Sequence, residues 1–215
     1  MADVQLLFPT PIYHDQLDIS DDERSRIQSY VEHLDWIVDK DIHNRPNGQY
    51  LDVFDVLAHN PLSNLATIID NHMHAFVHDF LRVSRKLKVK RTNSWANRHY
   101  LNDYCHEHHH SNSIFSGVYY LNIPPNSGPG IVFKRMGPTW TNDTWELNVD
   151  ELTAQNEYVH LKRVNTNMLL LFPSHLTHMV PASETDEPRY SIAFNYFVYG
   201  EIGDGTNILH VSDRR

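Results

Sequence analysis

The chain has 215 residues, enough for one well-buried domain, and its 40% content of apolar residues excludes a disordered protein. Its formal net charge of -9, with histidine counted as neutral, argues against non-specific binding to nucleic acid or to an anionic membrane surface. Because Cys105 is the single cysteine, no signal-peptide pattern opens the sequence and no apolar run is long enough to span a bilayer, we expect a soluble cytoplasmic protein.

The first predicted elements are a strand and a helix. The segment from Val4 to Tyr13 is apolar, and Pro9 and Pro11 within it predict an edge strand, because proline cannot donate to a neighbouring strand. Ser20 is predicted to cap a helix, and the three acidic residues after it suit the positive end of the helix dipole. Apolar residues recur in this helix at helical spacing: Ile27, Val31 and Leu34.

A second helix is predicted from about Pro61 to Val83. Its apolar stripe consists of Leu62, Leu65, Ile68, Ile69, Met73, Phe76 and Leu81. The same helix carries His74 and His78 at a spacing of four, which is suitable for metal chelation. Since no glutamate stands between histidines in a His-Glu-x-x-His arrangement, we expect these residues to be surface or partly packed histidines.

From Leu87 onward the hydrophobic pattern becomes that of β-strands separated by turn signals. The predicted strands are Leu87–Leu101, Ile114–Ile123, Ile131–Lys134, Tyr158–Val164, Met168–Phe172 and Tyr190–Tyr199. Four of their aromatic residues could line a pocket, but alternating aromatic residues in strands more often lie in the core: Tyr119, Tyr120, Phe194 and Tyr196. Helices followed by a run of strands predict an α+β fold in which the helices buttress a β-sandwich or barrel. We expect one domain over residues 1–215, with the N-terminal strand and helices in 1–86 and the β core in 87–200.

A long segment from about Arg135 to Asn156 separates two of these strands and contains Trp140 and Trp145. Two interpretations remain open for it. It is either a lid over a functional site or a surface excursion that its tryptophans hold in place.

The strongest chemical signal is the run Cys-His-Glu-His-His-His at residues 105–110, just before a predicted strand. Residues two apart in an extended segment point to the same side, so His106 with His108, or His108 with His110, can bind one metal ion. The run alone does not choose between the two pairs. A third ligand has to come from elsewhere in the chain.

His178 is the best candidate for that ligand, because it follows the apolar segment Met-Leu-Leu-Leu-Phe-Pro-Ser and a short turn. Eleven residues later, Arg189 opens the last long strand, and Ser191 follows on the same strand face. A guanidinium group can bind both oxygens of a carboxylate, and the serine hydroxyl adds a further donor. Arg189 and Ser191 are therefore predicted to bind a carboxylate.

The order of His-x-His, a distant His and Arg-x-Ser resembles that of 2-oxoglutarate- and iron(II)-dependent oxygenases, whose core is a double-stranded β-helix (jelly roll). The similarity is greater to a group of small oxygenases that have His-x-His as the first motif, followed by a Ser-Gly-Val-Tyr-Tyr strand like residues 116–120. The segments Leu-Phe-Pro-Ser-His-Leu-Thr-His at 171–178 and Arg-Tyr-Ser-Ile-Ala-Phe-Asn at 189–195 also resemble that group. The resemblance spans about Trp95 to Tyr196, with a weaker similarity in the opening Leu-Phe-Pro-Thr-Pro-Ile-Tyr.

The resemblance implies a dioxygenase that uses iron(II), 2-oxoglutarate and oxygen to hydroxylate its substrate, with succinate and carbon dioxide as co-products. It implies metal ligands His108, His110 and His178, with no catalytic residue beyond them. Arg189 and Ser191 would bind the far carboxylate of 2-oxoglutarate. The substrate would be a small molecule or a peptidyl residue, and the sequence does not indicate the oligomeric state.

Asn97 and His99 bear on the choice between the two histidine pairs. In some branches of the superfamily an Asn, and a polar residue two positions later, precede the first metal-binding His and contact 2-oxoglutarate. Asn97 and His99 stand at about that position relative to His108, and they share a strand face. The resemblance therefore favours His108 and His110 over His106 and His108.

The chain departs from the superfamily at the second ligand, where His110 replaces the usual carboxylate. Three neutral imidazoles compensate less of the metal's charge, and they also suit zinc. Three alternatives to the 2-oxoglutarate oxygenase therefore stay open. They are a three-histidine dioxygenase of the cupin type, a zinc hydrolase, and a non-enzymatic ligand-binding jelly roll.

Overall fold

The structure is a computed structural model, and it describes residues 8–38, 48–50, 55–135, 148–153 and 156–213. Its first strand is displaced from the predicted one. Strand β1 is Tyr13–Gln16, whereas the described residues from Phe8 to Ile12 form no strand. The two prolines in that stretch explain the displacement, because strand pairing begins only after them. Val4 to Leu7, the start of the predicted strand, lie outside the described residues.

Helix α1 (Asp21–Glu32) begins as predicted. The Ser20 hydroxyl accepts a hydrogen bond from the backbone N–H of Glu23 at 3.2 Å, which satisfies one of the free amides of the first turn. Ile27 and Val31 are buried, and Leu34 packs against the core just beyond the end of the helix.

The second helical region consists of several segments. Two short 3₁₀ turns, Val56–Ala58 and Asn60–Leu62, precede helix α2 (Ser63–His74), which continues as a π-helix over Ala75–Phe80. The predicted helix is confirmed in position, but it ends at Phe80. The residues of its apolar stripe are all buried or packed against the core. No helix in the described part of the chain is long and apolar enough to cross a membrane.

Most of the predicted strands are confirmed within a few residues. They are β4 (Lys88–His99), β6 (Phe115–Asn122), β7 (Ile131–Lys134), β8 (Val159–Lys162), β9 (Met168–Pro173) and β11 (Arg189–Ile202). The sequence did not predict β2 (Ile37–Val38), β3 (Gly48–Tyr50), β10 (His178–Val180) and β12 (Leu209–Val211). The extended segment of the histidine run forms strand β5 (Cys105–His108).

The strands form two antiparallel sheets. In the described residues the larger sheet has the order β1-β9-β6-β11-β4-β3-β2, with β12 paired to β11, and the smaller sheet has the order β5-β10-β7-β8. Several neighbouring strands are distant in sequence, such as β1 with β9, β4 with β11 and β5 with β10, as in a double-stranded β-helix. This fold class agrees with the prediction.

The larger sheet separates two hydrophobic layers. Alternate residues of β6 show this arrangement, because Tyr119 packs with the helices whereas Val118 and Tyr120 pack towards the smaller sheet. On β11, Ile192 faces the helices in the same way. The four aromatic residues predicted for the core are all buried, at 4% exposure or less. The helices therefore cover one face of the larger sheet and leave its other face to the smaller sheet.

Candidate functional site

A cavity of about 560 Å³ lies between the two sheets. Its walls come from β4, β6 and β11 of the larger sheet and from β5, β7 and β10 of the smaller one. All seven residues that the sequence proposed for the site line this cavity: Asn97, His99, His108, His110, His178, Arg189 and Ser191. The fold therefore brings together residues that are up to 94 positions apart in the chain.

Three of these residues form a cluster of imidazoles. One ring nitrogen from each of His108, His110 and His178 lies within 4.8 Å of the others. The Nε2 atoms of His110 and His178 are 3.3 Å apart, and their rings are almost parallel, at 9°. The cluster forms because His108 and His178 are paired residues on strands β5 and β10. His110 comes from the loop after β5.

Backbone carbonyls orient two of the three rings. Nδ1 of His108 lies 2.7 Å from the carbonyl oxygen of His106, and Nδ1 of His178 lies 2.8 Å from that of Leu176. With Nδ1 assigned as the donor in both rings, Nε2 keeps its lone pair and is available to a metal ion. Metal-binding histidines commonly have their second nitrogen fixed in this way.

The cluster favours neutral imidazoles. Burial, together with the smaller effect of the neighbouring His178 and His108, lowers the pKa of His110 to about 3. Burial also lowers the pKa of His178 to about 4. Neutral histidine is the form that binds transition metals, and a three-nitrogen set that faces a cavity leaves positions open for other ligands. The donor set therefore fits a catalytic metal ion.

The structure does not bring the other histidines of the run into this cluster. In the described residues, the group of side chains able to hold a metal ion is His108, His110 and His178. His106 is exposed and packs edge-on against Tyr104, at 4.9 Å between ring centroids. His109 is also exposed. The geometry thus corresponds to the predicted pair His108 and His110.

The opposite part of the cavity is cationic. Arg189 and His99 are paired residues on β11 and β4, exposed by only 2% and 4%. Nη1 of Arg189 donates to the carbonyl of Pro129 at 3.3 Å, but within the described residues neither its Nη2 nor either ring nitrogen of His99 has a hydrogen-bond partner. Buried polar groups without partners are costly, so these atoms fit an anionic ligand that would satisfy them.

Three further residues surround this cationic end. Ser191 and Asn97 are paired on β11 and β4, two residues along the ladder from Arg189 and His99. Tyr120 of β6 also lines the cavity, and burial raises its pKa, which keeps its hydroxyl protonated as a donor. From the sequence, Tyr120 could line a pocket, but the core was the favoured prediction. In the strand segment Gly117-Val118-Tyr119-Tyr120, residues two apart share a face, so Tyr120 lies on the same face as Val118. This alternation could have placed Tyr120 on the cavity face.

Aromatic walls flank the imidazole cluster. The indole of Trp95 packs against the ring of His110 at 5.6 Å between centroids, and Phe172 meets His178 edge-on at 5.0 Å. Neither residue was predicted for the site. Trp95 shares its strand face with Asn97 and His99, and this spacing of two could have revealed it.

The two histidines of the second helical region lie elsewhere. His74 and His78 line a separate cavity of about 550 Å³, with their rings 5.7 Å apart. His74 is exposed, in agreement with the prediction of surface or partly packed histidines, whereas His78 is buried, with Nδ1 at 3.0 Å from the carbonyl of Val83. Trp140 and Trp145, the basis of the lid interpretation, lie outside the described residues.

Comparison with protein families gives one match. Residues 93–195 match the family model described as "Putative 2OG-Fe(II) oxygenase", and this span contains all seven proposed site residues. A search of curated proteins found no match to the chain.

Solved structures with the same fold include 2-oxoglutarate-dependent enzymes. HygX from Streptomyces hygroscopicus, solved with nickel, 2-oxoglutarate and hygromycin B, has 16% identity and a TM-score of 0.59, over 87% of this chain and 83% of HygX. A prolyl hydroxylase from Trichoplax adhaerens, in complex with a hypoxia inducible factor peptide, has 15% identity and a TM-score of 0.59, over 86% and 83%. SnoN, an alpha ketoglutarate dependent epimerase of nogalamycin biosynthesis, has 13% identity and a TM-score of 0.62, over 87% and 78%.

Proposed function

We propose that the chain is an oxidoreductase of the 2OG-Fe(II) oxygenase family, whose model matches residues 93–195, and that it hydroxylates a C–H bond of a small-molecule or peptidyl substrate. 2-Oxoglutarate and oxygen would be consumed, and succinate and carbon dioxide released. Iron(II), when bound beside 2-oxoglutarate, supplies the activation of oxygen that couples decarboxylation of this cosubstrate to oxidation of the substrate.

We assign the metal to His108, His110 and His178. Their ring nitrogens converge at the cavity, and two of the rings are held by backbone carbonyls. The walls of Trp95 and Phe172 exclude water from the sides of the cluster, which strengthens the interaction of the imidazoles with a bound cation.

The observation that carries the proposal is the buried guanidinium of Arg189, in the same cavity as the three imidazoles. A cation that is 2% exposed, with a nitrogen that no described residue satisfies, requires an anion. We propose that this anion is the far carboxylate of 2-oxoglutarate. Ser191, Tyr120 and His99 would donate to it or pack around it, and Asn97 would contact the body of the cosubstrate. A zinc hydrolase has no use for such a carboxylate site.

The related structures support two classes of substrate. HygX has hygromycin B bound, and the Trichoplax enzyme holds a peptide. The epimerase SnoN shares the fold without being a hydroxylase by name. Any test of the hydroxylation step must therefore identify the product.

The test is anaerobic mixing of the iron-loaded protein with 2-oxoglutarate, followed by exposure to air. A weak visible charge-transfer band and slow release of succinate are expected, even without the true substrate. The absence of both would contradict the use of 2-oxoglutarate, and would favour a three-histidine dioxygenase of another type or a zinc enzyme. Metabolite profiling with and without the protein would then find the substrate, and an added oxygen atom in the product would distinguish hydroxylation from epimerisation.

A further inference from the structure

His110 differs from the other two imidazoles of the cluster in how it is held. The rings of His108 and His178 are each fixed at Nδ1 by a backbone carbonyl. In the part of the chain that the structure describes, no hydrogen bond holds Nδ1 of His110. Strand β5 ends at His108, so His110 also lies outside the ladder of the sheet. Its position must depend on whatever fixes the loop that carries it.

Ser174 fixes this loop through two backbone hydrogen bonds. Its carbonyl accepts from the backbone N–H of His110 at 3.0 Å, and its N–H donates to the carbonyl of Ile114 at 3.0 Å. The loop from His110 to Ile114 is therefore clamped at both ends by one residue. Ser174 also opens the short turn that leads from β9 to His178. Two of the three imidazoles thus depend on where Ser174 lies.

The hydroxyl of Ser174 anchors it in turn. Its Oγ lies 2.7 Å from Oγ of Ser113 and 2.8 Å from Oγ of Ser116, and the Ser116 hydroxyl donates to Oδ1 of Asn195 at 2.7 Å. In one consistent assignment each hydroxyl donates once, in the order Ser113, Ser174, Ser116, Asn195. Ser174 and Ser116 are 1% exposed and Asn195 is 7% exposed, so water does not compete for these bonds.

We propose that Ser174 is a positioning residue that sets the place of His110 in the metal site through this buried chain of hydroxyls. The proposal rests on the proposed function, because it requires that the three imidazoles bind a metal ion. The Ser174 hydroxyl does not contact the metal ligands itself and acts through the backbone, most directly through the hydrogen bond from the N–H of His110 to the carbonyl of Ser174. Its loss should therefore weaken metal binding and change the ligand geometry, while the cosubstrate end at Arg189 stays intact.

Ser174→Ala should remove one hydroxyl with little other disturbance, because the two neighbouring serine hydroxyls keep other hydrogen-bond partners. Ser116 still donates to Asn195, and Ser113 can donate to the carbonyl of Phe115 at 3.0 Å. Few buried groups are left unsatisfied, so the fold should survive. The matched control is Ser183→Ala, since Ser183 is also 1% exposed, but its hydroxyl has no partner in the described residues and it does not line the cavity.

The experiment is a titration of the metal-free full chain with cobalt(II), followed by visible absorbance, together with thermal unfolding of each metal-free variant. We expect Ser174→Ala to lose about 10- to 100-fold in cobalt(II) affinity, the usual effect of removing an outer partner of a metal ligand. Its spectrum should shift towards that of His110→Ala. Ser183→Ala should match the wild-type protein in both properties.

The outcomes separate this proposal from the proposed function. If the wild-type chain binds cobalt(II) no better than His178→Ala does, the metal site itself is wrong. If the wild-type chain binds tightly and Ser174→Ala binds with the same affinity and spectrum, the positioning role is overturned. Should Ser174→Ala fail to fold, Ser113→Ala takes its place, since it removes the neighbouring hydroxyl of the chain. A smaller loss of affinity in that variant supports the proposal, and an unchanged affinity contradicts it.

Discussion

Arg189 and His99 are paired across neighbouring antiparallel strands, 90 residues apart in the chain, and both are almost fully buried. Burial, and then the adjacent guanidinium of Arg189, lower the pKa of His99 to about 3. His99 is therefore neutral beside a buried cation, and no carboxylate hydrogen-bonds to either side chain within the described residues. This end of the cavity carries an uncompensated positive charge, which is what a carboxylate ligand requires.

The first prediction concerns Arg189. We expect Arg189→Ala to raise the concentration of 2-oxoglutarate needed for half-maximal succinate release by about 30- to 1000-fold, because a lost charge-assisted carboxylate contact costs about 2–4 kcal/mol. The metal content, measured on the purified protein, should not change. Arg163→Ala is the control, since Arg163 is exposed and does not line the cavity. An unchanged requirement for 2-oxoglutarate would remove Arg189 from the site.

The second prediction is a dependence of stability on pH that comes from His99. The unfolded chain binds a proton at His99 as the pH falls below about 6.5, but the folded protein does not do so until about 3. The unfolded state therefore binds more protons between these values, and the free energy of unfolding falls as the pH is lowered. The contribution of neutral His99 to the free energy of unfolding is fully present above about pH 6.5. As the pH falls below that value, the contribution decreases by up to about 1.4 kcal/mol per pH unit.

Urea unfolding of the metal-free protein at pH 7.5 and at pH 5 measures this effect. His99→Leu removes the titrating group, so its stability should fall less between the two pH values than that of the wild-type protein. The comparison is between slopes, because other groups titrate equally in both proteins. Equal losses in the two proteins would mean that His99 is protonated in the folded state or is open to water.

The sequence was sufficient to predict the long elements of the fold because their patterns are local. The runs rich in aromatic and β-branched residues along β6 and β11, and the helical spacing of apolar residues in α1 and α2, each extend over several turns or pleats. The short strands β2, β10 and β12 have two or three residues each. Each is defined by its pairing with another strand, and a segment of two or three residues is too short for a local pattern to report that pairing.

The same limit applies to the site. His108, His110, His178 and Arg189 could be proposed from their order in the chain and from a family resemblance. The pairing of Ser191 with Asn97 and the hydroxyl chain through Ser174 could not, because they depend on the register between strands and loops that are remote in sequence. Single serines also give no signal of their own, since most serines lie on the surface.

The third prediction defines the metal ligands by substitution. His108→Ala, His110→Ala and His178→Ala should each abolish tight iron(II) binding, because each removes one of the three converging nitrogens. His106→Ala and His109→Ala should leave the affinity nearly intact, and they serve as matched controls within the same run. Anaerobic titration with iron(II) measures all five variants. If His106→Ala strips the metal and His110→Ala does not, the ligand pair is His106 and His108.

The last prediction is that His110→Asp keeps the iron(II) site that His110→Ala loses. The usual facial set for non-haem iron(II) in oxygenases consists of two histidines and one carboxylate, and aspartate at position 110 would restore it next to His108 and His178. A carboxylate also neutralises part of the metal's charge, which offsets the shorter reach of aspartate. We therefore expect iron(II) affinity well above that of His110→Ala, with reduced succinate release because aspartate is shorter than histidine. Anaerobic iron(II) titration and single-turnover succinate assays measure the two effects. If His110→Asp binds iron(II) as poorly as His110→Ala, the loop clamped by Ser174 holds position 110 too far from the metal for an aspartate, and the three-histidine set is a requirement of this backbone.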